Sequence, residues 1–171
     1  MDTINAIMSR RSIRKFKNTP LTEDQIKTLL EAAMQAPSAG DGRPWHFVVI
    51  KDREKLNTIA DKIDEGNAMF KEAQAAIMIV GDPGKEGFPG FYPQDCSCAA
   101  QNLQLAAHDL GLGTVWIALW SVKPRIDGIK AVINVPENLE PFAIFPLGVP
   151  AEDLGKDYKI FWYVYNCSNS I

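Results

Sequence analysis

The stretch AAIMIVGD, residues 75–82, limits the fold more than any other part of the chain. It is a continuous apolar run ended by a turn, which is the pattern of a buried central strand. The flanking segments read as helices and further strands. Residues 2–9 place Ile4, Ile7 and Met8 at helical spacing. LTEDQIKTLLEAAMQAP opens on a capping box, with Thr22 as N-cap, Gln25 three residues on, and Leu21 and Ile26 placed as a hydrophobic staple. Ile26, Leu29, Leu30 and Ala33 form its apolar face, and Pro37 stops it.

PWHFVVIKD (44–52) reads as a strand, and 53–62 and 67–74 as helices. A glycine-, proline- and aromatic-rich loop over 84–93 suits a binding loop or lid. Residues 94–111 form a long helix that is uncharged from Cys96 to Ala107, so most of its sides should be buried, against this chain or a second subunit. TVWIALW (114–120) follows as a strand, 123–134 as a helix and FAIFPLGVP (142–150) as a strand. KIFWYVYN (159–166) is strand-like and aromatic, so its own sheet or a partner must cover it. Strands separated by helices give an α/β or α+β chain of two layers or more.

The totals exclude several classes. A length of 171 residues, 46% hydrophobic and 23% charged, fits one compact domain over 1–171. Nothing is apolar for long enough to span a membrane. The positive charges of MDTINAIMSRR come after its short apolar stretch, the wrong order for a signal peptide, so a cytoplasmic location is expected. Cys96, Cys98 and Cys167 have neither disulfide-framework nor zinc spacing. A net charge of -3 and a pI near 5.4 argue against a general nucleic-acid binder.

RRSIRKFKN (10–18) is therefore a local basic device in an acidic chain. If it is extended, Arg10, Ser12 and Arg14 share a face, and two guanidinium forks with a hydroxyl suit a phosphate. The competing reading is a basic helix end that complements the macrodipole. Lys15 and Lys17 read as surface charge. APSAGDGRPWHF (36–47) is a shaped loop whose small residues let backbone approach a flat ligand. GLGTVW (111–116) follows a helix and precedes a strand, the reverse of a dinucleotide fingerprint. No P-loop or hydrolase signature occurs. His46 and His108 are isolated and read as structural, Asp61, Asp64 and Glu65 as a solvated face, and Trp45, Trp116, Trp120 and Trp162 as core.

A helix, then RRSIRKF, then a capped helix ending in APSAGDGRPWHFVVI, resembles the FMN-dependent nitroreductase family. QDCSCAAQNLQLAAHDLGLGTVWI resembles its central helix and following strand, and FPLGVPAED its late segment, so the resemblance covers nearly the whole chain in order. It implies an α+β fold with a central, mostly antiparallel sheet flanked by helices, forming a homodimer whose C-terminal segment packs on the partner. It implies that Arg10, Ser12 and Arg14, with Arg11 a further candidate, hold the FMN phosphate and ribityl end. Pro37, Ser38, Ala39 and Gly40 would reach the flavin from the other subunit. Trp116, Ile117 and Ala118 would lie near the isoalloxazine ring, with Leu119 beside them. Lys156 and Lys159 are the candidates for a basic group returning to the phosphate.

Asp41 and Arg43 depart from the family's usual asparagine and glutamine, and an acid there would alter substrate charge preference. The chain is also short for the family before the helix at 94. The implied activity is reduction of nitroaromatics, quinones or related acceptors by NAD(P)H in a ping-pong cycle, with no nucleic acid, membrane or metal partner. In such a protein the cofactor carries the redox step, which fits the poverty of catalytic side chains. The alternatives are a flavin-binding redox sensor without turnover, and a specialised relative resembling reductive dehalogenases or the flavin destructases.

Overall fold

Strand β3 (Ala75–Gly81) lies inside the sheet, as its composition requires. It pairs antiparallel with β2 (Trp45–Ile50) on one edge and with β6 (Glu140–Pro150) on the other. The computed structural model describes residues 2–63 and 67–155. Alternate side chains of β3 enter two cores. Ala76, Met78 and Val80 pack with Leu56, Ile59, Phe70 and Ile129, from helices α3 (Arg53–Ile63), α4 (Met69–Glu72) and α6 (Lys123–Lys130). Ala75, Ile77 and Ile79 pack with Leu29, Ala33, Cys96 and Leu103, from α2 (Glu23–Met34) and α5 (Tyr92–Asp109). The fold is thus an α+β sandwich with helices on both faces of an antiparallel sheet. Burying a side chain such as Ile77 contributes about 1.5–3 kcal/mol, and Ile77→Ala would cost about 2–5 kcal/mol because the packed site cannot collapse.

Local signals set the helix ends. Thr22 Oγ1 accepts from Gln25 N at 3.1 Å and Gln25 Oε1 accepts from Thr22 N at 2.9 Å, so the capping box closes in both directions. Glu23 and Asp24 put negative charge in the positive first turn. Helix α5 begins at Tyr92, slightly before the expected 94, with Pro93 in a first turn that needs no N–H from it. Two helices are shorter than their patterns suggest. The segment 67–74 is helical only over Met69–Glu72. Helix α6 stops at Lys130, where Val132 N and Ile133 N both fold back onto Ile129 O and carry Ile133 into the core.

The expected strand 114–120 is two short strands, β4 (Gly113–Thr114) and β5 (Ile117–Ala118), both paired with β6. They use the edge of β6 opposite β3, because Leu147 opposes both Ala75 and Thr114. Leu147 O accepts from Gln74 N on the β3 side, so its neighbour Pro146 faces the β4–β5 side. Proline supplies no N–H there, and the ladder breaks opposite it at Val115–Trp116.

The basic run is extended. Helix α1 (Thr3–Ser9) ends at Arg10, whose backbone is already extended, with φ -58° and ψ 130°. Ile13 N donates to Thr114 O at 3.0 Å, and strand β1 (Phe16–Lys17), which the sequence does not announce, pairs with the end of β6. The expected strand 159–166 lies outside the described residues.

Candidate functional site

The strap from Arg10 to Arg14 runs between the C-terminal end of α5 and the end of β6. Glu152 Oε1 accepts from Arg14 N at 2.6 Å and from Lys15 N at 3.2 Å, which fixes the strap's course. Arg11 Nη1 donates to Leu154 O and Gly155 O at 3.1 and 3.2 Å. Glycine at 113 lets the strap close in, since a Cβ there would stand 2.6 Å from Ile13 Cγ2. Ser9, Arg11, Ile13, His108, Glu152 and Asp153 line a cleft of about 320 Å³. Arg11 thus joins the odd-numbered side chains on this cleft, the face that strict alternation assigns to neither Arg10 nor Arg14. Arg10 and Ser12 are half-buried and Arg14 is exposed. Arg10 Nη1 is buried without a hydrogen-bond partner among the described residues, and an unmet charged donor is costly unless an acceptor reaches it.

His108 is held beside this cleft. Ser9 Oγ donates to Asn5 O at 2.6 Å, so at 2.8 Å it accepts from His108 Nε2, which assigns the tautomer. Burial pushes His108 below its usual pKa, and the Arg10 charge pushes it further the same way. The second histidine is structural, with His46 Nε2 at 3.0 Å from Asp82 Oδ2. That hydrogen bond leads the causes that hold Asp82 below the usual carboxylate value.

The loop from Pro37 to Gly40 is tied to the opposite end of α5. Ala39 N donates to Asp95 Oδ1 at 2.9 Å, in the helix's first turn. His108 lies thirteen positions after Asp95, so the strap and the loop meet α5 about 20 Å apart at ~1.5 Å per residue. The loop is tightly locked. A Cβ on Gly42 would meet Gly87 N at 2.5 Å, and one on Gly87 would meet Ala39 O at 2.1 Å. Gly40, Asp41 and Arg43 all have positive φ, at 60°, 55° and 48°, and side chains are rare in that region unless their surroundings enforce it. Asp41 and Arg43, the two departures, answer each other. Arg43 Nε and Nη2 donate to the two Asp41 carboxylate oxygens at 2.7 and 3.1 Å. The acid is therefore neutralised in place, and that hydrogen bond raises the Arg43 pKa.

A second cleft, of about 430 Å³, opens beside β5, with Gln94, Ser97, Trp116, Ala118, Trp120 and Phe142 among its lining. Trp116 is wedged edge-on between Phe142 and Phe145, with ring centroids 5.7 and 5.4 Å away. Arg125 Nη1 donates to Ala118 O at 2.9 Å. Ile117 turns its side chain into the core and offers the site only backbone. Trp120 is not core as the sequence suggests, because 43% of it is exposed. Tyr92 lies in the loop expected to serve binding, whereas Trp120, Arg125 and Glu152 are site elements that the sequence does not single out, since each gains its role from a partner distant in the chain.

Cys96 is buried and its thiol is pushed up to about 12, chiefly by burial, so it stays protonated and inert. Among the described residues no cluster of three or more His, Cys, Asp or Glu side chains could hold a metal, and no helix is long and apolar enough to cross a membrane. Lys156, Lys159, Trp162 and Cys167 lie outside the described residues.

The family model described as "Nitroreductase family" matches residues 7–68 and 62–149. A Methanothermobacter thermautotrophicus protein named for NADH dehydrogenase/NAD(P)H nitroreductase activity is 47% identical over 155 residues, 91% of this chain and 81% of that one. A protein of the same name from Parabacteroides distasonis has a crystal structure that superposes with a TM-score of 0.88, at 36% identity, covering 93% of each chain. A nitroreductase-type protein from Desulfovibrio desulfuricans, solved in complex with FMN, superposes with a TM-score of 0.80 at 25% identity, covering 94% of this chain and 93% of that one. With the family pattern running from residue 7 to residue 149 on this fold, the chain belongs to the nitroreductase family.

Proposed function

We propose that this protein is an FMN-dependent oxidoreductase that uses NAD(P)H to reduce nitroaromatics, quinones or related small acceptors. The observation that carries the reading is the buried Arg10 nitrogen without a partner, on a strap of three arginines in a member of this family. Its chemistry fits the phosphate of FMN. Arg10, Arg11, Ser12 and Arg14 would hold that phosphate, and Lys156 and Lys159 are the candidates to add a further cation. Ile13 ties the strap to Thr114, and Ala118 lies four residues further on, about 13 Å at ~3.3 Å per residue. That spacing suits a mononucleotide with its phosphate on the strap and its ring by Trp116, Ile117 and Ala118. The cleft of about 430 Å³ there has the size of a small-molecule site.

Pro37, Ser38, Ala39 and Gly40 meet α5 about 20 Å from the strap contact at His108, which favours their serving the partner's flavin in a homodimer. FMN held there would supply the two-electron redox chemistry between NAD(P)H and the acceptor, in a ping-pong cycle. The chain's own residues would bind, orient and exclude water, with Arg125 fixing the Ala118 carbonyl and the backbone of 37–40 and 117–118 brought up to the ring.

The purified protein should be yellow, with flavin absorbance, and should oxidise NADH or NADPH when menadione is added. Protein that stays colourless after incubation with FMN would overturn the reading. Bound FMN without nicotinamide oxidation would instead mark a redox sensor.

A further inference from the structure

Trp120 is exposed, yet it is held in place on the aromatic cleft. Its Nε1 donates to the Tyr92 hydroxyl at 2.9 Å. Tyr92 in turn packs closely against Gly81, where a Cβ would stand 2.5 Å from its ring. The backbone under Trp120 is also pinned. Leu119 N and Trp120 N both donate to Phe142 O, at 3.0 and 2.9 Å, and Ser121 is held at a φ of 61°. Strain of that kind persists only where the surroundings enforce it. Indole, phenol and strand are thus pre-set around an open aromatic wall, with Trp116 clamped on the same cleft.

The lining side chains carry no formal charge, and its polar members are Gln94 and Ser97. Arg125 reaches the cleft's Ala118 carbonyl, and two carboxylates lie on the Tyr92 side. Glu86 is fixed close by, accepting from Gly90 N at 2.9 Å and Tyr92 N at 3.1 Å. Glu140 acts on Tyr92 as well. Burial is the main cause that holds the Tyr92 hydroxyl above its usual pKa, and both carboxylates add to it.

The geometry points to Trp120 as the residue that selects the electron acceptor: held by Tyr92, its indole is the platform for a neutral planar aromatic, while Glu86 and Glu140 turn away anionic ones. This rests on the function proposed above. Tyr92 acts through Trp120 and is a positioning residue.

The test is calorimetric titration of the oxidised, FMN-loaded protein with nitrobenzene and with 4-nitrobenzoate, which share a ring and differ by a carboxylate. Nitrobenzene should bind at least fivefold more tightly, and less so at high salt, since surface fields are screened within about 10 Å at 0.1 M. Trp120→Leu should weaken nitrobenzene about tenfold, the scale of one well-oriented aromatic pair plus its buried area. Tyr92→Phe keeps the ring on Gly81 and removes only the acceptor oxygen. It should weaken nitrobenzene about threefold and raise its KM in turnover more than it lowers kcat. Glu86→Gln combined with Glu140→Gln should narrow the preference for the neutral ring. Equal nitrobenzene binding with and without the Trp120 indole overturns the assignment, as does 4-nitrobenzoate binding as tightly as nitrobenzene. FMN affinity is measured alongside: a wild-type protein that binds no FMN overturns the function proposed above, whereas intact FMN binding with unchanged acceptor binding in Trp120→Leu overturns this inference alone.

Discussion

The cleft at the strap is lined by Arg11, His108, Glu152 and Asp153, and the one under Trp120 by Gln94, Ser97 and the rings of Trp116, Trp120 and Phe142. Both are anchored on α5, one near each end. In the first, charges are set against charges, and beside it on the strap one Arg10 guanidinium nitrogen is unmet among the described residues. In the second, the neutral Trp120 indole is fixed by a hydrogen bond and Trp116 by edge contacts with Phe142 and Phe145. The contrast teaches a division of labour. The end of a ligand that carries charge needs a partner in a place where its desolvation would otherwise be costly. The end that carries the redox chemistry needs a flat, dry, preorganised wall.

Removing the unmet guanidinium should break the comparison most sharply. Arg10→Ala should weaken FMN about 10- to 100-fold, the range for a hydrogen bond to a charged group at about 1.5–3 kcal/mol. Arg14, which is exposed, should matter less. Retention of flavin fluorescence quenching on titration reads both. If Arg10→Ala instead keeps its FMN affinity but loses acceptor binding, the two clefts have been assigned the wrong way round.

Two glycines give a matched pair of smaller effects. Gly113→Ala drives a Cβ to within 2.6 Å of Ile13 Cγ2, and Gly81→Ala drives one to within 2.5 Å of the Tyr92 ring. Each should cost about 1–3 kcal/mol of stability in thermal melts, as overpacking of a filled site does. The functional damage should diverge. Gly113→Ala displaces the strap and should lower FMN affinity, whereas Gly81→Ala displaces Tyr92 and should raise the acceptor KM. The same damage from both would show that the two clefts are one coupled site.

How far the sequence reveals these regions depends on how local their causes are. The capping box of α2 is legible because Thr22 and Gln25 satisfy each other. Strand β3 is legible because seven consecutive buried residues leave a polar face no place. The split between β4 and β5 is not, since it follows from Pro146, some thirty residues downstream of Val115. The strap reads equally well as a helix end, because its extended course is fixed by Thr114 and by Glu152, more than a hundred residues away. Its alternation puts Arg11 on the face opposite Arg10, Ser12 and Arg14, and that face is the one on the cleft, where Arg11 binds Leu154 O and Gly155 O. Trp120 looks like core for the same reason: its partner Tyr92 stands 28 positions before it. Asp41 and Arg43 read as a change of charge at the site, and the structure turns them into a closed pair by bending both backbones to positive φ.

The smallest expected effect is a pH dependence confined to the strap. Burial first, and the Arg10 charge second, lower the pKa of His108 in the folded state. An unfolded histidine takes its proton near its ordinary value of about 6.5. The contribution of His108 to stability is therefore fully present above that pH and is lost as pH falls through its lower folded value. Denaturant melts at pH 7.5 and 5.5 should show a loss on acidification that His108→Gln reduces, because glutamine can still donate to Ser9 Oγ and takes no proton. A phosphate bound to the strap would oppose the Arg10 charge and lift His108 back towards its ordinary value. FMN loading should then shrink the difference between wild type and His108→Gln. The Asp82–His46 pair sits outside this cleft, and the depressed carboxyl of Asp82 gives up its contribution only in stronger acid, below the ordinary carboxylate value of 3.8, so it leaves the comparison intact. A His108→Gln difference that FMN leaves unchanged would mean that the phosphate sits elsewhere, and that the unmet Arg10 donor answers to some other group.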